Sequence, residues 1–93
     1  MADNIAEIAD FFKALGDPTR MRILKLLLSH KKLCVGIIAY KLDITQSAVS
    51  QHLKVLKNSK IVEGERKGSS IHYRIRKDTL KEYGIKLENI INV

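Results

Sequence analysis

Cysteine is scarce in this chain and its apolar runs are short, and both shortages exclude classes of protein. One cysteine in 93 residues can build neither an internal disulfide framework nor a zinc site of several thiolates. Apolar runs such as Leu26–Leu28 are far too short to cross a bilayer. The N-terminal stretch carries acids where a secretory signal peptide would carry positive charge. We therefore expect a cytoplasmic protein with no membrane partner.

The length and composition predict one small folded unit. A chain of 93 residues, 45% of them apolar, has enough material for one core and too little for two. We expect a single domain over residues 1–93.

Acidic residues are scarce in the middle of the chain. The formal net charge is +7, but residues 18–77 carry fourteen Lys and Arg against three acids, which is +11. Residues 1–17 carry −3 and residues 78–93 carry −1. This distribution favours a face that binds a polyanion, most commonly nucleic acid. A merely solubilising surface is the alternative interpretation.

Helical spacing of apolar residues predicts two helices at the start of the chain. The first runs from Asn4 to Leu15 and ends at Gly16. Asp17 is a good N-cap for the second, Pro18–Ser29, because proline suits the first helical position. The residues that we expect the second helix to bury are Met21, Leu24, Leu27 and Leu28.

The pattern of the next segment predicts a helix-turn-helix. A short helix through Ile37 and Ile38 ends in a tight connection, where Asp43 tolerates the left-handed backbone that such a turn needs. Thr45 can cap a further helix that runs to about Asn58.

That second helix has one polar and one apolar face at 100° per residue. The apolar arc contains Val49, Leu53, Leu56, Ala48 and Val55. The polar arc has hydroxyls, amides and one long cation but no acid, and such residues suit base edges in the major groove. The predicted DNA-reading residues are Gln46, Ser47, Ser50, Gln51 and Lys54. His52 falls on the apolar side of the wheel, so we expect a packed or boundary histidine there.

After Ser59 the pattern changes to strand. Ile71, Tyr73 and Ile75 alternate with polar residues, and Ile61–Arg66 is the pairing strand. We expect a hairpin wing with its tip at 67–70, and then a last helix capped by Asp78. The basic residues predicted to contact phosphate or the minor groove are Arg66, Lys67, Arg74 and Arg76; a charged, aggregation-resistant edge strand is the alternative.

These elements predict a mainly α fold with a small β-hairpin, in the order α-α-α-α-β-β-α, which is a winged helix-turn-helix. Three segments carry a family resemblance: Phe12–Leu24, Thr45–Leu56 and Tyr73–Ile75. They resemble the opening signature, recognition helix and wing end of ArsR-type (arsenic-repressor-like, ArsR/SmtB) regulators.

The resemblance implies a homodimeric repressor of transcription whose first and last helices form the dimer interface. The apolar stripes on both terminal segments agree, because they exceed what one three-helix core needs. The residues assigned to this interface are Ile5, Ile8, Phe12, Tyr83, Leu87, Ile90 and Ile91.

The sequence lacks ligands of the metal sites that are found in the family it resembles. The third helix begins Cys34-Val35-Gly36, so the second thiolate of a Cys-x-Cys pair is missing, and residues 78–93 contain no histidine. A lone thiol cannot build a tetrahedral thiolate site within one protomer, and two copies could contribute across a dimer only if the geometry allowed. We expect no cofactor and no obligate metal, with Cys34 a packed residue; a sensor role for Cys34 is the alternative. Lys60 stands where the resembling family often has glycine.

The leading hypothesis is a sequence-specific regulator that binds double-stranded DNA as a homodimer. The alternatives are a sequence-tolerant nucleic-acid or chromatin-like binding protein and a protein-interaction module. An enzyme is not expected, because no carboxylate pair, activated nucleophile or phosphate-binding glycine loop can be placed.

Overall fold

Five helices and a small antiparallel sheet make up the computed structural model, which describes residues 4–92. The helices are α1 (Ile5–Leu15), α2 (Pro18–Ser29), α3 (Val35–Leu42), α4 (Gln46–Asn58) and α5 (Lys77–Ile91). The strands are β1 (Leu33–Cys34), β2 (Val62–Lys67) and β3 (Ser70–Ile75), arranged in the order β1-β3-β2. The predicted winged helix-turn-helix order is confirmed, with one additional strand. Within residues 4–92, no helix has the length and apolar character needed to span a membrane.

The additional strand β1 lies just before α3. It pairs with β3 so that Leu33 is opposite Tyr73 and Cys34 is opposite His72. A two-residue strand is too short to show the alternation by which strands are recognised in a sequence. The β2–β3 hairpin turns at Gly68. Its φ of 61° lies in the left-handed region, which glycine adopts readily because it has no Cβ.

Two predicted caps are confirmed and one is wrong. Asp17 accepts a hydrogen bond from the Arg20 backbone N–H at 3.0 Å, and Thr45 accepts one from Ala48 at 3.0 Å. Asp78 does not cap α5, because the helix begins at Lys77, two residues earlier than such a cap would give, and Arg76 occupies the cap position. A carboxylate is favourable both at the cap and in the first turn, so the pattern cannot separate adjacent positions.

The core lies where α1, α2, α3, α4 and the start of β2 meet, and Tyr83 of α5 also contributes to it. Its fully buried side chains are Ile23, Ile38, Leu53, Leu56, Ile61, Val49 and Val62. The expected burial of Met21 and Leu28 is wrong, since each keeps 47% of its surface exposed. Ile23 is buried instead, because α2 packs against α1, α3, α4 and β3 rather than against a single neighbouring surface.

Candidate nucleic-acid interface

The turn between α3 and α4 is held by backbone hydrogen bonds around a left-handed residue. Asp43 has a φ of 55°, as the sequence predicted. Its N–H donates to the Tyr40 carbonyl at 3.3 Å, and the Ile44 N–H donates to Ala39 at 3.1 Å. These bonds satisfy the free carbonyls at the end of α3. They therefore set the angle at which α4 leaves.

The other end of α4 closes in the same way. Lys60 adopts a φ of 59°, and its N–H donates to the Lys57 carbonyl at 2.9 Å. The Ile61 N–H donates to Leu56 at 2.9 Å, and both of these side chains are fully buried. This arrangement is a Schellman motif, which usually places glycine at the left-handed position. Lys60 thus fits the turn at the cost of some backbone strain.

The apolar face of α4 fixes which way its polar face points. Val49, Leu53 and Leu56 are at most 1% exposed, so rotation of the helix would break the core. The five predicted reading residues are all exposed on the opposite face: Gln46, Ser47, Ser50, Gln51 and Lys54. Their exposure is confirmed, and their contact with DNA stays a prediction.

The exposed face of α4 presents donors and acceptors but no negative charge. Hydroxyl and amide groups can pair with base edges, while the Lys54 ammonium can reach guanine or phosphate. Val55 was expected to be buried but is 37% exposed. It borders an open groove of about 670 Å³ between α1, α4 and α5, and none of these helices covers it.

A polar contact that the sequence did not predict joins α4 to the other helices. The Arg20 Nη1 lies 3.2 Å from His52 Nδ1, and Arg20 Nε donates to the Ala14 carbonyl at 2.6 Å. With Arg20 as donor, Nδ1 is the acceptor and the neutral ring carries its proton on Nε2. The expectation of a boundary histidine at His52 is confirmed, with 24% of its side chain exposed. Arg20 was missed because its partner is 32 residues away.

Asp17 completes this contact. Its Oδ2 lies 3.9 Å from His52 Nδ1 and also accepts the Arg20 backbone bond. That backbone bond, helped by the nearby Arg20 charge, lowers the pKa of the Asp17 carboxyl. The start of α2 and the end of α1 are thereby tied to the middle of α4. This cluster orients the helix that carries the predicted reading residues.

Carboxylates partner three of the four predicted wing cations. Arg74 Nε lies 2.6 Å from Glu63 Oε1, Lys67 Nζ lies 3.7 Å from Glu65 Oε1, and Arg76 Nη2 lies 3.1 Å from Asp78 Oδ2. Lys32 also reaches Glu65, at 3.0 Å, and these contacts lower the pKa of that carboxyl. Exposed pairs of this kind are weak. The cations can therefore exchange a carboxylate for a DNA phosphate.

Arg66 lies on the other face of the hairpin. It is opposite Ile71, whereas Glu63 is opposite Arg74, so strand alternation separates Arg66 from Arg74. Arg66 is exposed, and no ion pair involving it occurs within residues 4–92. The predicted wing cations are thus distributed over both faces, with Arg76 at the base beside α5.

Cys34 is half-buried at the start of α3, opposite His72 in the sheet. In the part of the chain that the structure describes, no three His, Cys, Asp or Glu side chains form a group that could hold a metal ion. His72 Nδ1 is buried without a hydrogen-bond partner among these residues.

The two terminal helices are joined through Tyr83. Its ring stacks on Phe11 with centroids 4.2 Å apart, and its hydroxyl donates to Glu7 Oε1 at 2.5 Å. Lys86 lies 3.7 Å from the same Glu7 oxygen and 4.6 Å from the Tyr83 ring centroid. The Tyr83 hydrogen bond is the main reason that the pKa of Glu7 is lowered. Tyr83 and Ile8 are buried within the protomer itself.

An apolar surface remains beyond this contact. We call the terminal face the exposed or half-exposed members of the predicted interface, which are Ile5, Phe12, Leu87, Ile90 and Ile91. Ile90 is 40% and Ile91 is 67% exposed. Exposed apolar surface of this kind on neighbouring helices is typical of interaction sites.

Comparison with known proteins agrees with this architecture. The family described as "Bacterial regulatory protein, arsR family" matches residues 17–63. An uncharacterized HTH-type transcriptional regulator of Methanocaldococcus jannaschii, MJ1325, is 43% identical over 80% of this chain and 83% of its own length.

Two solved structures superimpose on nearly the whole fold. An ArsR-like transcriptional regulator from Rhodococcus sp. RHA1 has a TM-score of 0.86 at 31% identity, covering 96% of this chain and 83% of the other. The homodimeric winged helix-turn-helix DNA-binding domain Mb0332 of Mycobacterium bovis has a TM-score of 0.77 at 27% identity, with coverages of 95% and 81%. These relatives are regulators, so the expectation that the chain is not an enzyme is confirmed. The chain belongs to the ArsR family of transcriptional regulators.

Proposed function

We propose that the chain is a homodimeric, sequence-specific repressor that binds an inverted-repeat operator and blocks access to the promoter. The observation that supports this best is the polar face of α4, exposed along a helix whose opposite face is buried. The +11 charge of residues 18–77 attracts DNA phosphates. The chain would do this as a single cytoplasmic domain.

Base recognition would rest on the five exposed residues of α4. Gln46 and Gln51 offer amides that suit adenine, and Ser47 and Ser50 can donate or accept. Lys54 would contact guanine or phosphate. The Arg20–His52 contact supports this role, because readout needs a helix held in one orientation.

The wing would add contacts to the sugar–phosphate backbone. Arg66 and Lys67 flank the hairpin tip, and Arg74 and Arg76 lie towards its base. Cations on a hairpin suit phosphate contact or insertion into the minor groove. The weak pairs with Glu63 and Glu65 would open when DNA binds.

Dimerisation would use the terminal face, with Ile8 and Tyr83 packed beneath it. The M. bovis relative of the same fold is described as homodimeric. A two-fold dimer places two recognition helices about 34 Å apart, one turn of DNA. An inverted-repeat operator follows from that symmetry.

The repressor would work without the metal site of the family. Cys34 is the sole cysteine of the chain, and α5 has no histidine. A tetrahedral site needs three or four such ligands. Adding Zn²⁺ to the purified dimer should leave its operator affinity unchanged.

Selection of bound duplexes from a random DNA pool, followed by sequencing, tests the proposal. We expect a palindromic consensus with half-sites one helical turn apart. Affinity that varies with salt but hardly with sequence would instead support the sequence-tolerant nucleic-acid binding protein, which the basic centre alone could produce.

Alanine variants separate readout from charge. Ser50→Ala should lower the ratio of operator to random-DNA affinity by about tenfold, while Arg74→Ala should weaken both and reduce the salt slope by about one. Ser29→Ala, an exposed serine at the end of α2, is the control. Equal loss on every sequence from Ser50→Ala would contradict base reading.

A further inference from the structure

Tyr40 on α3 is an exposed aromatic residue with no packing role. It keeps 84% of its surface exposed, the highest value among the large apolar side chains that are exposed. Ile37 and Lys41, three residues before it and one after, are also exposed, while Ile38 and Ala39 face the core. The fold accounts for the buried pair and leaves Tyr40 without a structural function.

The position of Tyr40 relative to the recognition helix is well defined. Tyr40, Lys41 and Asp43 line a shallow depression that Gln46, the first residue of α4, also lines. The helices touch here, since a Cβ added to Gly36 would lie 3.6 Å from Gln46 Nε2. Tyr40 is therefore beside the end of α4 that carries the first predicted reading residue.

Helix-turn-helix geometry determines what this position meets on DNA. The N-terminal residues of the second helix contact base edges, while the first helix crosses the backbone. A residue of α3 that borders Gln46 therefore lies at the edge of the major groove. Tyrosine hydroxyls are common donors to phosphate oxygens. The Lys41 ammonium offsets the Asp43 carboxylate, so the depression is not repulsive to DNA overall.

We propose that Tyr40 is a positioning residue for operator binding, whose hydroxyl donates a hydrogen bond to a backbone phosphate next to the base pairs contacted by Gln46. Lys41 contacts the same stretch of backbone. The bond fixes how α4 sits in the groove and extends the DNA interface onto α3. This inference rests on the proposed DNA-binding function.

Tyr40→Phe, which removes only the hydroxyl, is the main test. We expect binding to the selected operator, measured by fluorescence anisotropy, to weaken by about three- to tenfold. The salt slope should be unchanged because no charge is lost, whereas Lys41→Ala should lower it by about one. The melting temperature of Tyr40→Phe should match the wild type, because the side chain is exposed.

A neutral methylphosphonate placed at single backbone positions of the operator gives a second readout. At one position per half-site it should weaken the wild type at least as much as Tyr40→Phe does, and it should weaken Tyr40→Phe clearly less than it weakens the wild type. Some loss remains in the variant because the substitution also removes the phosphate charge that attracts Lys41. A purely structural role for Tyr40 would not produce this coupling.

The outcomes distinguish this inference from the proposed function. If Tyr40→Phe binds like the wild type while Ser50→Ala loses discrimination, the role of α3 is wrong and operator reading stands. If Tyr40→Phe weakens binding but no phosphate position shows coupling, the positioning role is likewise overturned. If the wild type binds no duplex at low salt, the proposed function fails first.

Discussion

Two non-glycine residues with left-handed backbones close the two ends of the DNA-facing motif. Asp43 was predicted from its chemistry, since a short polar side chain tolerates this conformation. Lys60 could be flagged only as a residue where the family often has glycine, and the structure supplies the reason: a Schellman turn at φ 59°. A left-handed backbone conformation can be predicted from the sequence where the residue type favours it, as at Asp43, but not where the type is unfavourable, as at Lys60.

Replacing Lys60 with glycine should stabilise the protein. Glycine adopts the left-handed conformation without the Cβ clash, and the gain after its larger entropy loss is about 0.5–1 kcal/mol in the free energy of unfolding. Urea denaturation of wild type and Lys60→Gly at the same protein concentration measures it.

Lys60→Ala is the control, because it removes the charge and the stem while keeping the Cβ. An equal gain from alanine would mean that the long side chain, rather than the backbone conformation, is the source of the strain.

At the scale of single elements, the sequence predicted helices well where one face alone is buried. The α4 wheel separated exposed from buried residues apart from Val55, because one side of the helix meets the core and the other meets solvent. On α2 the apolar spacing wrongly predicted that Met21 and Leu28 are buried. That helix has neighbours on several sides, and the periodicity of one segment does not record where its neighbours sit.

Contacts between different elements could not be predicted from the sequence for a related reason. Arg20 meets His52, and Tyr83 meets Glu7 across 76 positions. No local pattern marks either pair. The DNA-contacting residues could be proposed from the sequence because they lie on one helix or on and beside one hairpin, whereas the groups that orient that helix come from distant parts of the chain.

The Glu7–Tyr83 bond makes the α1–α5 contact sensitive to pH. The pKa of Glu7 is below its usual 4.5, so its contribution is present above pH 4.5 and is lost as the pH falls through the lowered pKa. The pKa of Tyr83 is above its usual 10.0 because its hydroxyl donates to Glu7. The stability contributed by the neutral Tyr83 hydroxyl is therefore lost only as the pH rises through this raised pKa.

Glu7→Gln should therefore lower the urea midpoint at pH 7, and the difference from wild type should be smaller at pH 3, because lowering the pH protonates more of the wild-type carboxylate. Tyr83→Phe keeps the stacked ring on Phe11 and isolates the hydrogen bond. A deficit in Glu7→Gln that is the same at both pH values would show that the contact does not depend on the carboxylate charge.

For the molecule as a whole, the charge and the apolar surface are separated. The positive charge is concentrated in residues 18–77, while the segments that contain most of α1 and α5 are slightly acidic and carry the terminal face. In the proposed dimer, this separation would let two protomers associate through helices that do not repel each other strongly. That dimer would present both recognition helices and twice the positive charge to one duplex.

A charge on the terminal face should therefore separate the protomers. Ile90 lies on the same stripe of α5 as Leu87, and burying an unpaired carboxylate there, twice per dimer, should weaken association at least about a hundredfold. We expect Ile90→Asp to sediment as a monomer where the wild type sediments as a dimer. Operator affinity should fall with it, because each monomer contacts one half-site.

Ile85 provides the matched control for this test. It is 57% exposed on the same helix but lies about 200° around the axis from Tyr83, facing away from the core and the terminal face. Ile85→Asp should remain dimeric and keep its operator affinity. If Ile85→Asp dissociates and Ile90→Asp does not, the protomers associate through the opposite side of α5, and the spacing of the two recognition helices has to be reassigned accordingly.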